Sequence, residues 1–109
     1  VLDADDVRRI ALSLPETREK KRWGHPTFDV GGRMFVTVPD DQTSFAVRCP
    51  RLERDELILA EPDKFWVPKH EAGSNWVRAR LALLEDDAEL RDILLDSWRQ
   101  VAPPELDAG

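Results

Sequence analysis

A single cysteine, Cys49, stands in 109 residues, so no internal disulfide can form and nothing asks for an oxidising compartment. No apolar run approaches the ~20 residues of a membrane span, and no secretory signal is visible. The chain lacks a Gly-rich phosphate loop, a G-x-S-x-G elbow and any nucleophile–base spacing. Its two histidines, His25 and His70, share no i, i+4 spacing, and no CxxC or HxxxH pattern occurs. A metal site built from them with Cys49 or Asp29 is therefore not expected. The acidic stretch Glu85-Asp86-Asp87-Glu89 lacks the glycine and alternating oxygens of a calcium loop. Together these absences point away from catalysis, cofactors and metals, and toward a cytoplasmic binding module.

What is present suits one globular domain spanning residues 1–109, with 41% hydrophobic and 35% charged residues. The net charge of −6 argues against a nucleic-acid partner at first sight. It is unevenly placed, however. Residues 15–80 carry twelve Lys or Arg against eleven Asp or Glu, whereas residues 81–109 carry two against eight. Charges beyond about 8 Å are largely screened at physiological salt, so the middle of the chain can still attract an anion.

Hydrophobic spacing predicts a first helix over Asp3–Leu14, with Val7, Ile10, Ala11 and Leu14 on one stripe, Asp3 as N-cap and Pro15 as terminator. A polar loop, Glu16–Pro26, carries the basic run Lys20-Lys21-Arg22. Strands follow at Thr27–Val30 and Arg33–Val38 around the hairpin pair Gly31-Gly32, and then, after a turn at Asp40–Thr43, at Ser44–Cys49. Pro50 opens a helix to Ala60. Phe65–Val67 reads as a short edge strand and Asn75–Leu83 as the longest strand. A last helix, Asp87–Ala102, is capped by Asp86 with Glu89 and ended by Pro103-Pro104, and the tail to Gly109 is expected to fray. The order α-β-β-β-α-β-β-α predicts an α+β fold, an antiparallel sheet of about five strands with helices packed on one face.

Alternation along the strands sorts their faces. Val77, Ala79 and Leu81 oppose Trp76, Arg78 and Arg80. Met34, Val36 and Val38 oppose Arg33, Phe35 and Thr37, and Phe45 and Val47 oppose Ala46 and Arg48. With the apolar sets under the helices, the other face offers Trp76, Phe35, Arg33, Arg48, Arg78 and Arg80. Aromatic rings interleaved with guanidiniums suit stacked bases, phosphates or carboxylate-bearing peptides. A solvated face with internally paired arginines is the plainer alternative. Lys20, Lys21, Arg22, Trp23 and His25 form a second basic candidate. Cys49 falls on the side of Phe45 and Val47, which suits a buried small hydrophobe.

Ala11-Leu12-Ser13-Leu14-Pro15-Glu16, Trp23-Gly24-His25-Pro26-Thr27-Phe28, Val30-Gly31-Gly32-Arg33-Met34-Phe35, Asn75-Trp76-Val77 and Asp96-Ser97-Trp98 occur in the order typical of the MmcQ/YjbR family, which the chain resembles over nearly its whole length. The resemblance implies a frataxin-like curved antiparallel sheet backed by helices, and DNA binding through a double-wing arrangement of its hairpins. Arg33 takes the basic position after the paired glycines, and Lys69-His70 and Trp76 match the late basic and aromatic positions. Trp98, often tyrosine in the family, and the acidic balance are departures. The expected site is thus Arg33, Arg48, Trp76, Arg78 and Arg80, with Lys20, Lys21, Arg22, Trp23, His25, Lys69 and His70 at its rim. The alternative is a protein-interaction or homodimerisation domain using the same face.

Overall fold

A computed structural model describes residues 2–39 and 41–106. Asp40, in the turn expected before the third strand, and residues 107–109 of the tail lie outside the described residues. The elements are α1 (Ala4–Ser13), β1 (Thr17–Arg22), β2 (His25–Val30), β3 (Arg33–Thr37), β4 (Ser44–Arg48), α2 (Arg51–Ala60), β5 (Phe65–Trp66), β6 (Trp76–Arg80) and α3 (Asp87–Val101). Short 3-10 turns occupy Lys69–Glu71 and Leu81–Leu83. All strand pairings are antiparallel, in the order β1-β2-β3-β4-β6-β5.

The α+β architecture expected from the sequence holds, with one strand more. Residues 17–22, read as loop, form edge strand β1, and the hairpin turns at Trp23 and Gly24, both at positive φ. The expected strand to Leu83 is shorter, because after Arg80 the chain tightens into a 3-10 turn.

Helix α1 starts at a reciprocal capping box in which Asp3 and Asp6 each accept the other's backbone N–H. Its stripe of Val7, Ile10 and Ala11 is buried against the sheet, as is that of Leu90, Leu94, Trp98 and Val101 on α3. These helices cover Phe28, Val36, Phe45, Val47, Val77 and Ala79, which the strand register places on one face. Trp98 buries its ring and donates its indole N–H to the Pro15 carbonyl at 3.1 Å. Cys49 is buried in the same layer, and burial, with Glu53 and Asp96 nearby, pushes its thiol up to about 11.

One irregularity shapes the opposite face. The β2–β3 register shifts between Phe28 and Asp29, so Phe28 faces Val36 while Asp29 faces Met34. Phe35 is the extra residue of this bulge. Beyond Val36 and Val47 the β3–β4 ladder stops. There the Ser97 hydroxyl donates to the Phe35 carbonyl at 2.6 Å and accepts from the Arg48 N–H at 2.9 Å. A helix side chain thus satisfies the two backbone groups that the interrupted ladder leaves over.

Candidate nucleic-acid interface

Strand pairing lines up Lys20, Thr27, Thr37, Ala46, Arg78 and Trp66 across the helix-free face, with Arg48 beside Trp76 and Ser44 beside Arg80 in neighbouring rows. The residues at 76, 78 and 80 therefore do look away from the helices, while Val77 and Ala79 between them are buried. A groove of about 310 Å³ runs across this face. Met34, Thr37 and Ala46 form its floor, Trp23 and His25 one wall, and Trp76 and Arg78 the other. Small Ala46, between Thr37 and Arg78 in the register, leaves the space open.

The walls are held from behind. Arg54 of α2, only 4% exposed, donates to the carbonyls of Ser74 at 2.7 Å and Ala72 at 3.1 Å, fixing the loop that edges the groove. At the other wall Trp23 is 74% exposed, with its ring tilted against His25 at 6.0 Å between centroids. Its φ of +53° is a conformation that bulky residues seldom adopt.

The arginines of this face differ in how they are spent. Arg78 is locked to Glu71 through two hydrogen bonds, at 2.6 and 3.3 Å. Arg80 stacks on Trp66 at 4.1 Å and donates to the Asp63 carbonyl. Arg48 lies over Trp76 at 5.1 Å and donates its Nε–H to the Met34 carbonyl at 2.7 Å. Neither Arg80 nor Arg48 has a carboxylate partner among the described residues. Burial, and then the charge of Arg33, holds Arg48 below its ordinary value.

Two expected members are elsewhere. Phe35 is fully buried in the core rather than beside Trp76, because the bulge breaks the two-residue alternation. Met34, assigned to the helical side, lies on the groove floor for the same reason. Arg33 pairs with Val30, whose side chain is in the core, and stands beside the last turn of α3 instead of on the open face.

The basic run is divided by strand geometry. Lys20 and Arg22 share a face with Asp29, 3% exposed, and approach its Oδ2 at 3.5 and 2.7 Å, whereas Lys21 points the other way. Lys69 and His70 are exposed on the 3-10 turn, with His70 Nε2 3.3 Å from the same Glu71 carboxylate that holds Arg78. Reading the sequence missed Trp66 and Glu71. A two-residue strand is too short to show alternation, and the Glu71–Arg78 bond crosses a loop without regular spacing.

Among the described residues no group of three His, Cys, Asp or Glu side chains gathers to hold a metal ion, and no helix is long and apolar enough to cross a membrane. No curated protein matches the sequence. The fold is similar to the crystal structure of Deinococcus radiodurans protein DR2400, which carries the family-model domain DUF419. That likeness has a TM-score of 0.76 at 22% identity, over 94% of this chain and 80% of the other. The YjbR family model matches residues 12–100, from the end of α1 almost to the end of α3, and the chain belongs to the YjbR family.

Proposed function

We propose that this chain is a non-catalytic module that binds DNA on the open face of its sheet, in line with what its family resemblance implies. The groove between Trp23 and Trp76 carries this reading. It offers two indole rings across a floor of small and flexible side chains, with Arg48 over Trp76 at its margin and Arg80 farther along the same face of β6. Rings of this kind stack on bases, and guanidiniums meet phosphates. The net charge does not oppose the reading, because its excess falls in residues 81–109. Asp87, Glu89, Asp92 and Asp96 lie on α3, across the sheet from the groove, whereas Asp29 and Glu71 on the open face are both neutralised by neighbouring cations. The buried thiol of Cys49, held protonated, is a poor nucleophile, which agrees with a binding role.

Tryptophan fluorescence and anisotropy titrations with single- and double-stranded DNA at two salt concentrations test it. Binding should weaken steeply with salt, and Trp76→Ala should cost about fivefold in affinity, the lower end of a base-stacking contribution. No signal at low salt rejects the proposal. A dimer that hides Trp76 in sedimentation would move the assignment to a protein-interaction domain.

A further inference from the structure

A separate cleft of about 190 Å³ is lined by Arg33, Arg48, Pro50, Asn75, Gln100 and Val101, none of which lines the groove. Its two arginines come from β3 and β4, and neither has an ion-pair partner among the described residues. Five of the other ten arginines do have one among the described residues. Arg8, Arg9, Arg22, Arg54 and Arg78 each meet at least one carboxylate. Among the described residues Arg48 donates only its Nε–H, to the Met34 carbonyl, and the four N–H groups of its terminal nitrogens find no acceptor there. The bulge, together with Ser97, creates the juxtaposition: the β3–β4 ladder ends there, and the Arg48 backbone is held by α3 instead of by β3.

Two like charges lining one open cleft repel, and an anion between them would stabilise the arrangement. The C-terminal end of α3, which supplies Gln100 and Val101, contributes about half a negative charge at most. That falls well short of two guanidiniums, and Arg33 donates no hydrogen bond to the helix carbonyls among the described residues. A planar carboxylate is filled by one arginine fork, whereas two forks and the Asn75 amide offer donors for a tetrahedral anion with two charges. The space equals about six waters at ~30 Å³ each, enough for such a group with part of its hydration.

We infer that the Arg33–Arg48 cleft is a phosphoryl-anion site, distinct from the aromatic groove and independent of whether the groove takes DNA. The ligand is either free inorganic phosphate or the terminal phosphate of an oligonucleotide.

The test titrates inorganic phosphate against chloride at matched ionic strength, following the arginine Nε–H and tryptophan indole NMR signals. Phosphate should shift Arg48 and Trp76 saturably, and Arg33→Gln, a change at an exposed residue, should weaken the effect about tenfold. A parallel arm compares a 5′-phosphorylated oligonucleotide with its 5′-hydroxyl twin. Tighter binding of the phosphorylated strand assigns the site to a chain end; equal binding, with inorganic phosphate still saturating, assigns it to the free ion. Shifts that follow ionic strength alone, or that persist unchanged in Arg33→Gln, overturn the inference. Oligonucleotides that bind while phosphate has no specific effect overturn the cleft and leave the groove standing.

Discussion

At the β1–β2 end of the sheet, Lys20 and Arg22 converge on the buried carboxylate of Asp29. At the β3–β4 end, Arg33 and Arg48 share a cleft with no acid among the described residues. The first cluster belongs to the longest basic run in the sequence; the second joins residues from two different strands. Their behaviour is the reverse of what a count of adjacent charges suggests. In the run, strand alternation sends Lys21 to one side and hands the other two to Asp29, leaving little unspent charge. In the separated pair, a bulge places two cations together and provides no carboxylate. Positive charge available to a ligand is thus set by the register of the sheet.

The contrast can be broken from either side. Removing the acid from the neutralised cluster should have the largest effect on stability. Asp29→Asn leaves Lys20 and Arg22 without their counter-charge at a buried position and should cost about 1–3 kcal/mol. The lower half of that range is expected because both cations can turn to water, and thermal unfolding measures it. Supplying an acid to the second cluster is the complementary change. Asn75→Asp should stabilise the chain by up to about 1 kcal/mol, a value typical of a partly exposed pair, and abolish the response to phosphate. If Asn75→Asp leaves both unchanged, Arg33 and Arg48 do not act as a pair.

A third, fully satisfied cluster provides the control and the smallest effect. Lys64 donates to Glu89 at 2.8 Å, on the helical side of the molecule. Burial raises the Glu89 carboxyl, but hydrogen bonds from Lys64 and from the Glu85 backbone outweigh it and leave the group below its ordinary 4.5. Its contribution is therefore complete above that value and lost as pH falls through the lowered one. Lys64, raised chiefly by its bond to Glu89, contributes fully below 10.5 and loses its contribution as pH rises through the higher folded value. Glu89→Gln should flatten the acid limb of stability below about pH 4.5 without changing phosphate or DNA binding.

The sequence made the helices and most strands readable, because their apolar residues recur at 3.6- or two-residue spacing and their ends carry caps and prolines. Edge strand β1 was not readable. Thr-Arg-Glu-Lys-Lys-Arg has no apolar alternation, since an edge strand exposed on both sides buries almost nothing. The site was half legible. Trp76, Arg78 and Arg80 lie on the face that alternation assigned them, but one inserted residue sent Phe35 into the core and Arg33 to the end of α3. Glu71, which cancels Arg78, and Trp66, which supports Arg80, depend on tertiary contacts that local spacing does not encode.

The central claim, that unspent rather than total charge makes the binding surface, is tested most directly on β6, where Arg78 and Arg80 share a face two residues apart. The salt dependence of single-stranded DNA binding should be compared in two variants. The charge-balanced double change Glu71→Gln with Arg78→Gln should leave the slope of log K against log salt as it is in the unaltered protein. Arg80→Gln should reduce the slope by about 0.7, the loss of one phosphate contact. A slope that falls in the double variant and holds in Arg80→Gln would contradict the account.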